Sequence, residues 1–163
     1  MSNYTVPGIN ENDAKKLNDE LQARLTDYND LHLILKHAHW NVNGPNFIAV
    51  HEMIDPQVEL VRGYADEVAE RISTLGGAPV GTPAGSVEDR TPLTYELNEG
   101  PTQKHLAELD KVYNQVVEGV RESIAVAGEL DPITEDALIG QAAELEKFQW
   151  FMRKHLENAQ GNI

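Results

Sequence analysis

The sequence predicts an all-α domain, a four-helix bundle with a long crossover between its second and third helices. Three observations carry that expectation. Apolar residues recur at alternating three- and four-residue spacings in four long segments, the periodicity of helices that bury one face. Two of the links between those segments are short, and the middle one is long. No segment alternates apolar with polar residues as a half-buried strand would.

After a short polar tail (1–11), the first helix is expected over 12–40, with Leu17, Leu21, Leu25, Tyr28, Leu31 and Leu35 on one stripe. The second is expected over 46–75, through Phe47, Val50, Ile54, Val58, Val61, Ala65, Val68 and Ile72. Pro56 falls inside it, where it removes a hydrogen bond and predicts a kink, or a restart capped by Asp55. A third helix is expected over 102–127, with Leu106, Leu109, Val116, Val120 and Ile124. The fourth is expected over 132–158, with Ile133, Ala137, Leu145, Phe148 and Met152 on its buried side. Its start is well marked, since Asp131 can cap and Pro132 suits the first turn.

The short links "NVNGPN" and "GELDP" make antiparallel neighbours of helices one and two and of helices three and four. The crossover, 76–101, is rich in Gly and Pro. At about 3.3 Å per residue it can run the roughly 40 Å length of a neighbouring helix, with slack for a short extra helix. Helices two and three are then parallel, the connectivity of ferritin-like bundles rather than of an up-and-down bundle. The whole chain, 1–163, reads as one such domain.

The formal net charge of −14, from 27 acidic and 13 basic residues, favours cations as partners and disfavours a nucleic-acid surface. There is no cysteine, hence neither disulfide nor thiolate site. The polar start "MSNYTVPGINEN" lacks the layout of a signal peptide, and no apolar run approaches a membrane span. A cytoplasmic protein without membrane contact is expected.

Chemistry concentrates in "HAHWNVNGPNFIAVHEMID" and the helix that follows it. His51 with Asp55, and Asp66 with Glu70, are i, i+4 pairs, each on one helix face. All four fall within an arc of roughly 100°, beside the apolar stripe. The pair centres are about 22 Å apart on a straight helix, too far to hold one ion within a chain. A second copy packed antiparallel about a two-fold axis near Leu60 and Val61 would bring His51 and Asp55 of one chain to Asp66 and Glu70 of the other. His39 mirrors His51 about Pro45, so a tight turn there sets both imidazoles at similar heights on adjacent helices. Two imidazoles and three carboxylates suit Fe(II), Mn(II) or Zn(II). No Glu has a His three positions later, which disfavours a di-iron centre inside the bundle.

"HWNVNGPNFIAVHEMID" followed by "DEVAER" resembles the signature of the Dps family, and "LGG", "TPL" and "LEKFQWFM" extend the likeness along the chain. The resemblance implies a ferritin-like subunit of a hollow homododecamer. It further implies that Fe(II) is oxidised, with hydrogen peroxide preferred over dioxygen, and stored as ferric mineral. The family's ligands fall on His39, His51 and Asp55 from one subunit and Asp66 and Glu70 from another. Trp40 becomes a candidate radical sink beside the site, or simply core at a helix end. Acidic residues around "GELDPITEDAL" line a pore in that family; Asp131 and Asp136 are the candidates here, against plain capping and helix-dipole roles.

Trp150 and Tyr113 read as packing, His37 as a surface histidine, and His32, His105 and His155 have no partner at useful spacing. The first lysines, Lys15 and Lys16, already lie at the expected helix start, and the terminal "NAQGNI" carries no basic side chain. Direct DNA binding is therefore expected to be weak or absent. A nucleoid-compacting protein and an inactive structural assembly are the competing readings; the intact five-residue set opposes the second.

Overall fold

The computed structural model of the protein describes residues 6–83 and 93–157. Four helices run in the expected order: α1 (Glu11–Asn41), α2 (Phe47–Thr74), α3 (Thr102–Leu130) and α4 (Pro132–Leu156). α1 starts where the Asn10 side chain accepts from the Asp13 amide at 3.0 Å, with Glu11 and Asp13 at the positive end of the helix dipole. α4 starts as expected: Asp131, in extended backbone, accepts from the amides of Ile133 and Thr134.

α1 packs along α2, α3 along α4, and α1 also along α3. A parallel pair of two-residue strands, β1 (Val42–Asn43) and β2 (Gly100–Pro101), joins the end of α1 to the start of α3, with Val42 opposite Gly100 and Asn43 opposite Pro101. α3 therefore sets out from the end where α1 stops, antiparallel to α1 and parallel to α2. That is the crossover topology. A bridge this short has no sequence period, which is why no strand pattern was visible.

The core follows the expected stripes. Leu17, Leu31, Leu35, Val50, Ile54, Val61, Leu106, Leu109, Val116 and Val120 are fully buried. Each large member contributes roughly 1.5–3 kcal/mol. Inside this apolar layer lie two neutral polar pairs drawn from all four helices. The Tyr28 hydroxyl donates to Gln141 Oε1 at 2.9 Å, and the Tyr113 hydroxyl to Gln57 Oε1 at 2.7 Å. Burial pushes both phenols above their ordinary range, so they remain donors.

Several details differ from the sequence reading. α2 passes Pro56 as one continuous helix. Pro56 and Glu52, whose carbonyl loses its donor, both lie on the exposed face, where solvent satisfies the carbonyl. α3 runs on to Leu130, so Asp131 alone makes the α3–α4 turn. On α4 the buried stripe is Thr134, Leu138, Gln141, Ala142, Leu145, Gln149 and Met152. Ile133 (66% exposed) and Trp150 (53%) point away from it, and Phe47 is also exposed. The crossover residues 76–83 and 93–99 contain no helix. What remains of the expected extra helix falls on 84–92, outside the described residues.

Candidate metal centre

The turn between α1 and α2 is tight. Gly44 and Asn46 take left-handed backbone (φ 86° and 64°), and the Phe47 amide donates to the Gly44 carbonyl at 3.1 Å. Asn side chains tolerate that region better than most, and Gly has no Cβ to clash. The chain folds back sharply enough to stack the His39 and His51 rings, with centroids 3.6 Å apart and planes at 23°.

Each ring is locked by the other's backbone. His39 Nδ1 lies 2.9 Å from the His51 carbonyl, and His51 Nδ1 lies 2.9 Å from the His39 carbonyl. A carbonyl only accepts, so both nitrogens carry the proton and both Nε2 lone pairs are left for a metal ion. His39 is buried, and Phe47 packs on His51 with centroids 5.0 Å apart. One helical turn beyond His51, Asp55 Oδ1 lies 3.3 Å from His39 Nδ1 and 2.7 Å from Lys36 Nζ. The Lys36 hydrogen bond holds the Asp55 carboxyl below its ordinary value, outweighing burial and helped by the neighbouring imidazoles.

Asp66 and Glu70 lie farther along α2, both exposed. Among the described residues, neither carboxylate makes a hydrogen bond or ion pair within the chain. Nor do any three His, Asp or Glu side chains converge on a metal position, again among the described residues. One chain stacks His39 on His51 and sets Asp55 against His39, while Asp66 and Glu70 lie farther along the helix. Trp40, in the last turn of α1, is 69% exposed rather than buried as core.

The two pore candidates differ. Asp131 is buried, its carboxylate taken by Arg71, the Thr134 hydroxyl and the start of α4. Burial raises its pKa, but the hydrogen bonds from Thr134 and Arg71 outweigh it and hold the carboxyl below the usual range. Asp136, one turn on, is exposed.

Lys36 was missed in the sequence, although it sits one helical turn before His39. His37 is a correction. It is half-buried rather than a surface residue, and its Nε2–H donates to the Leu97 carbonyl at 2.7 Å. His105 is fully buried and bonded to the Tyr95 hydroxyl. Both histidines meet the crossover, whose path no local pattern reveals.

The model of the ferritin-like domain family matches residues 18–161. Over its full length the chain is 58% identical to the DNA protection during starvation protein of Mycolicibacterium smegmatis, covering 89% of that protein. It is 49% identical over 99% of its length to the fine tangled pili major subunit of Haemophilus ducreyi, covering 86% of that protein. Its fold superposes on the tetragonal form of Mycobacterium smegmatis Dps with a TM-score of 0.96 at 58% identity, covering 100% of this chain and 99% of the other. Fold and matches together define a ferritin-like protein. Within that class, the chain belongs to the Dps family.

No helix among the described residues is long and apolar enough to cross a membrane.

Proposed function

We propose that the chain is a ferroxidase and iron store. Fe(II) is oxidised at sites shared between two subunits, with hydrogen peroxide the preferred oxidant, and the ferric mineral is kept inside a hollow homododecamer. The observation that carries this reading is the locked pair His39 and His51, whose Nδ1 atoms are held by backbone carbonyls so that each Nε2 keeps its lone pair for a metal ion, with the Asp55 carboxylate against His39. Two imidazoles and one carboxylate leave room for further oxygen ligands, and Asp66 and Glu70, unpaired among the described residues, are the oxygen donors on the same helix. A two-fold axis across α2 supplies them from the partner.

The chain's own work is to hold and to tune. The backbone carbonyls at 39 and 51 fix the tautomers, so neither ring must reorient on binding. The carboxylates favour the ferric product over the ferrous substrate. Two Fe(II) each give up one electron, the O–O bond of one peroxide breaks, and both oxygens leave as hydroxide or water. Pairing the electrons in this way avoids free hydroxyl radical. Trp40, exposed and next to His39, takes up a stray oxidising equivalent in this reading, and exposed Asp136 draws Fe(II) towards a pore. A net charge of −14 supports weak or absent DNA binding, and the reading places the protein in the cytoplasm.

Anaerobic Fe(II) oxidation on adding peroxide tests the proposal. About two irons oxidised per peroxide with little hydroxyl radical is the expected result, and Asp66→Ala should slow the reaction while the assembly persists. Oxidation no faster than that of free iron would overturn it. It would move weight to a structural assembly, the second reading, which the likeness to the Haemophilus ducreyi pilus subunit favours.

A further inference from the structure

The return limb of the crossover is fixed to one end of the bundle around a single buried imidazole. His105, in the first turn of α3, is fully buried; its Nδ1 is bonded to the Tyr95 hydroxyl, and among the described residues its Nε2 has no hydrogen-bond partner. Gly100 closes the other side, where a Cβ would stand 3.6 Å from Nε2. The same limb is tied to α1 by the His37 donation to the Leu97 carbonyl and by the β1–β2 pair. Asn43 also donates to Glu99 at 3.3 Å. Between Leu33, Ile34 and His37 on one side and residues 95–98 on the other lies an open groove of about 290 Å³. The limb is therefore seated over a gap, held by these polar ties and by Leu93 and Tyr95 packed against the core.

We propose that His105 is an acid-operated latch: neutral, it locks residues 95–101 onto the ends of α1 and α3, and protonated, it releases them. An imidazolium enclosed here would be compensated only by the backbone of Asn98 and Asn41, which burial outweighs. The titratable groups that face it are the Tyr95 phenol on the limb and His37 on α1, and neither is an anion. Glu108, one turn along α3, acts on Tyr95. Among the described residues no carboxylate is paired with the ring. Burial depresses the His105 pKa below 6.5, with the backbone of Asn98 and Asn41 pulling the other way. The sign follows from linkage: the neutral latch is fully effective above the unfolded value of 6.5 and is lost as pH falls from there to the depressed folded value. Opening reaches the α1–α2 turn, because Val42 pairs with Gly100 and the Thr102 hydroxyl donates to the Pro45 carbonyl at 3.0 Å.

Hydrogen exchange on the assembled full-length protein, at about pH 7.5 and about pH 5, tests the latch. After correction for intrinsic exchange, opening of residues 95–101 should rise about tenfold for each pH unit between the unfolded and the depressed value, while the middle of α3 stays protected. His105→Gln, which never becomes charged, should flatten that dependence. Protection of 95–101 that ignores pH, or that responds to it equally in the Gln variant, overturns the proposal. Should that variant fail to assemble, NMR titration of the parent's labelled histidines decides. A His105 midpoint below 6.5 that coincides with the loss of protection supports the latch, and any other midpoint overturns it.

Discussion

The Lys36 ammonium lies 2.7 Å from the Asp55 carboxylate oxygen that also faces His39. A cation of the chain's own thus already sits on one of the ligand candidates. The two side chains are 32% and 49% exposed, so the pair is worth no more than about 1 kcal/mol. Lys36→Met should therefore strengthen divalent-cation binding by up to about fivefold, read by anaerobic calorimetry with Co(II). Weaker binding in the variant would mean that Lys36 orients Asp55 rather than competing for it.

Much of this centre was legible because it rests on local spacing. His51 and Asp55 are one helical turn apart, and the Pro45 turn sets His39 against His51 whatever the rest of the chain does. Elements that depend on distant segments were not legible. Residues 95–101 find His37 and His105 only after the crossover has run the length of the bundle, and a two-residue bridge has no period to detect. Trp150 misled for another reason. Hydrophobicity alone does not say on which side of a helix a residue falls, and position 150 lies off the stripe of Leu145, Gln149 and Met152.

Asp131 and Asp136 should separate cleanly in experiment. Asp131→Ala removes the cap of α4 and strands the Arg71 guanidinium, at a cost of roughly 3 kcal/mol, measurable as a lower urea midpoint. Because the Asp131 carboxyl is held below 3.8 in the folded chain, its contribution is present above pH 3.8 and is lost as pH falls through the depressed value. Arg71→Met should lack most of that acid-sensitive part. Asp136→Asn, at an exposed position, should leave stability within about 0.5 kcal/mol and instead slow iron uptake.

The buried tyrosine–glutamine pairs make a different kind of prediction. Tyr113→Phe leaves Gln57 Oε1 without its donor in a fully buried layer, costing roughly 1–3 kcal/mol by chemical denaturation. Combining it with Gln57→Leu should restore most of the loss, since replacing both partners removes the stranded acceptor. A double variant no better than the single one would show that Gln57 acts chiefly through its 3.0 Å donation to the Met53 carbonyl.

Whether the ligand set spans two chains can be decided without seeing a metal ion. His51→Ala removes one half of every site and Asp66→Ala the other, so each variant alone should oxidise Fe(II) poorly. When the two are unfolded together and reassembled at equal amounts, half of the two-fold dimers pair unlike chains. In such a dimer one site carries both substitutions, and the other carries none, because its imidazoles come from the Asp66→Ala chain and its carboxylates from the His51→Ala chain. About a quarter of all sites are then intact, and about a quarter of the parental initial rate should return. If the five residues served a single chain, no combination of these subunits could contain a complete site, and the mixture would oxidise iron no faster than either variant alone.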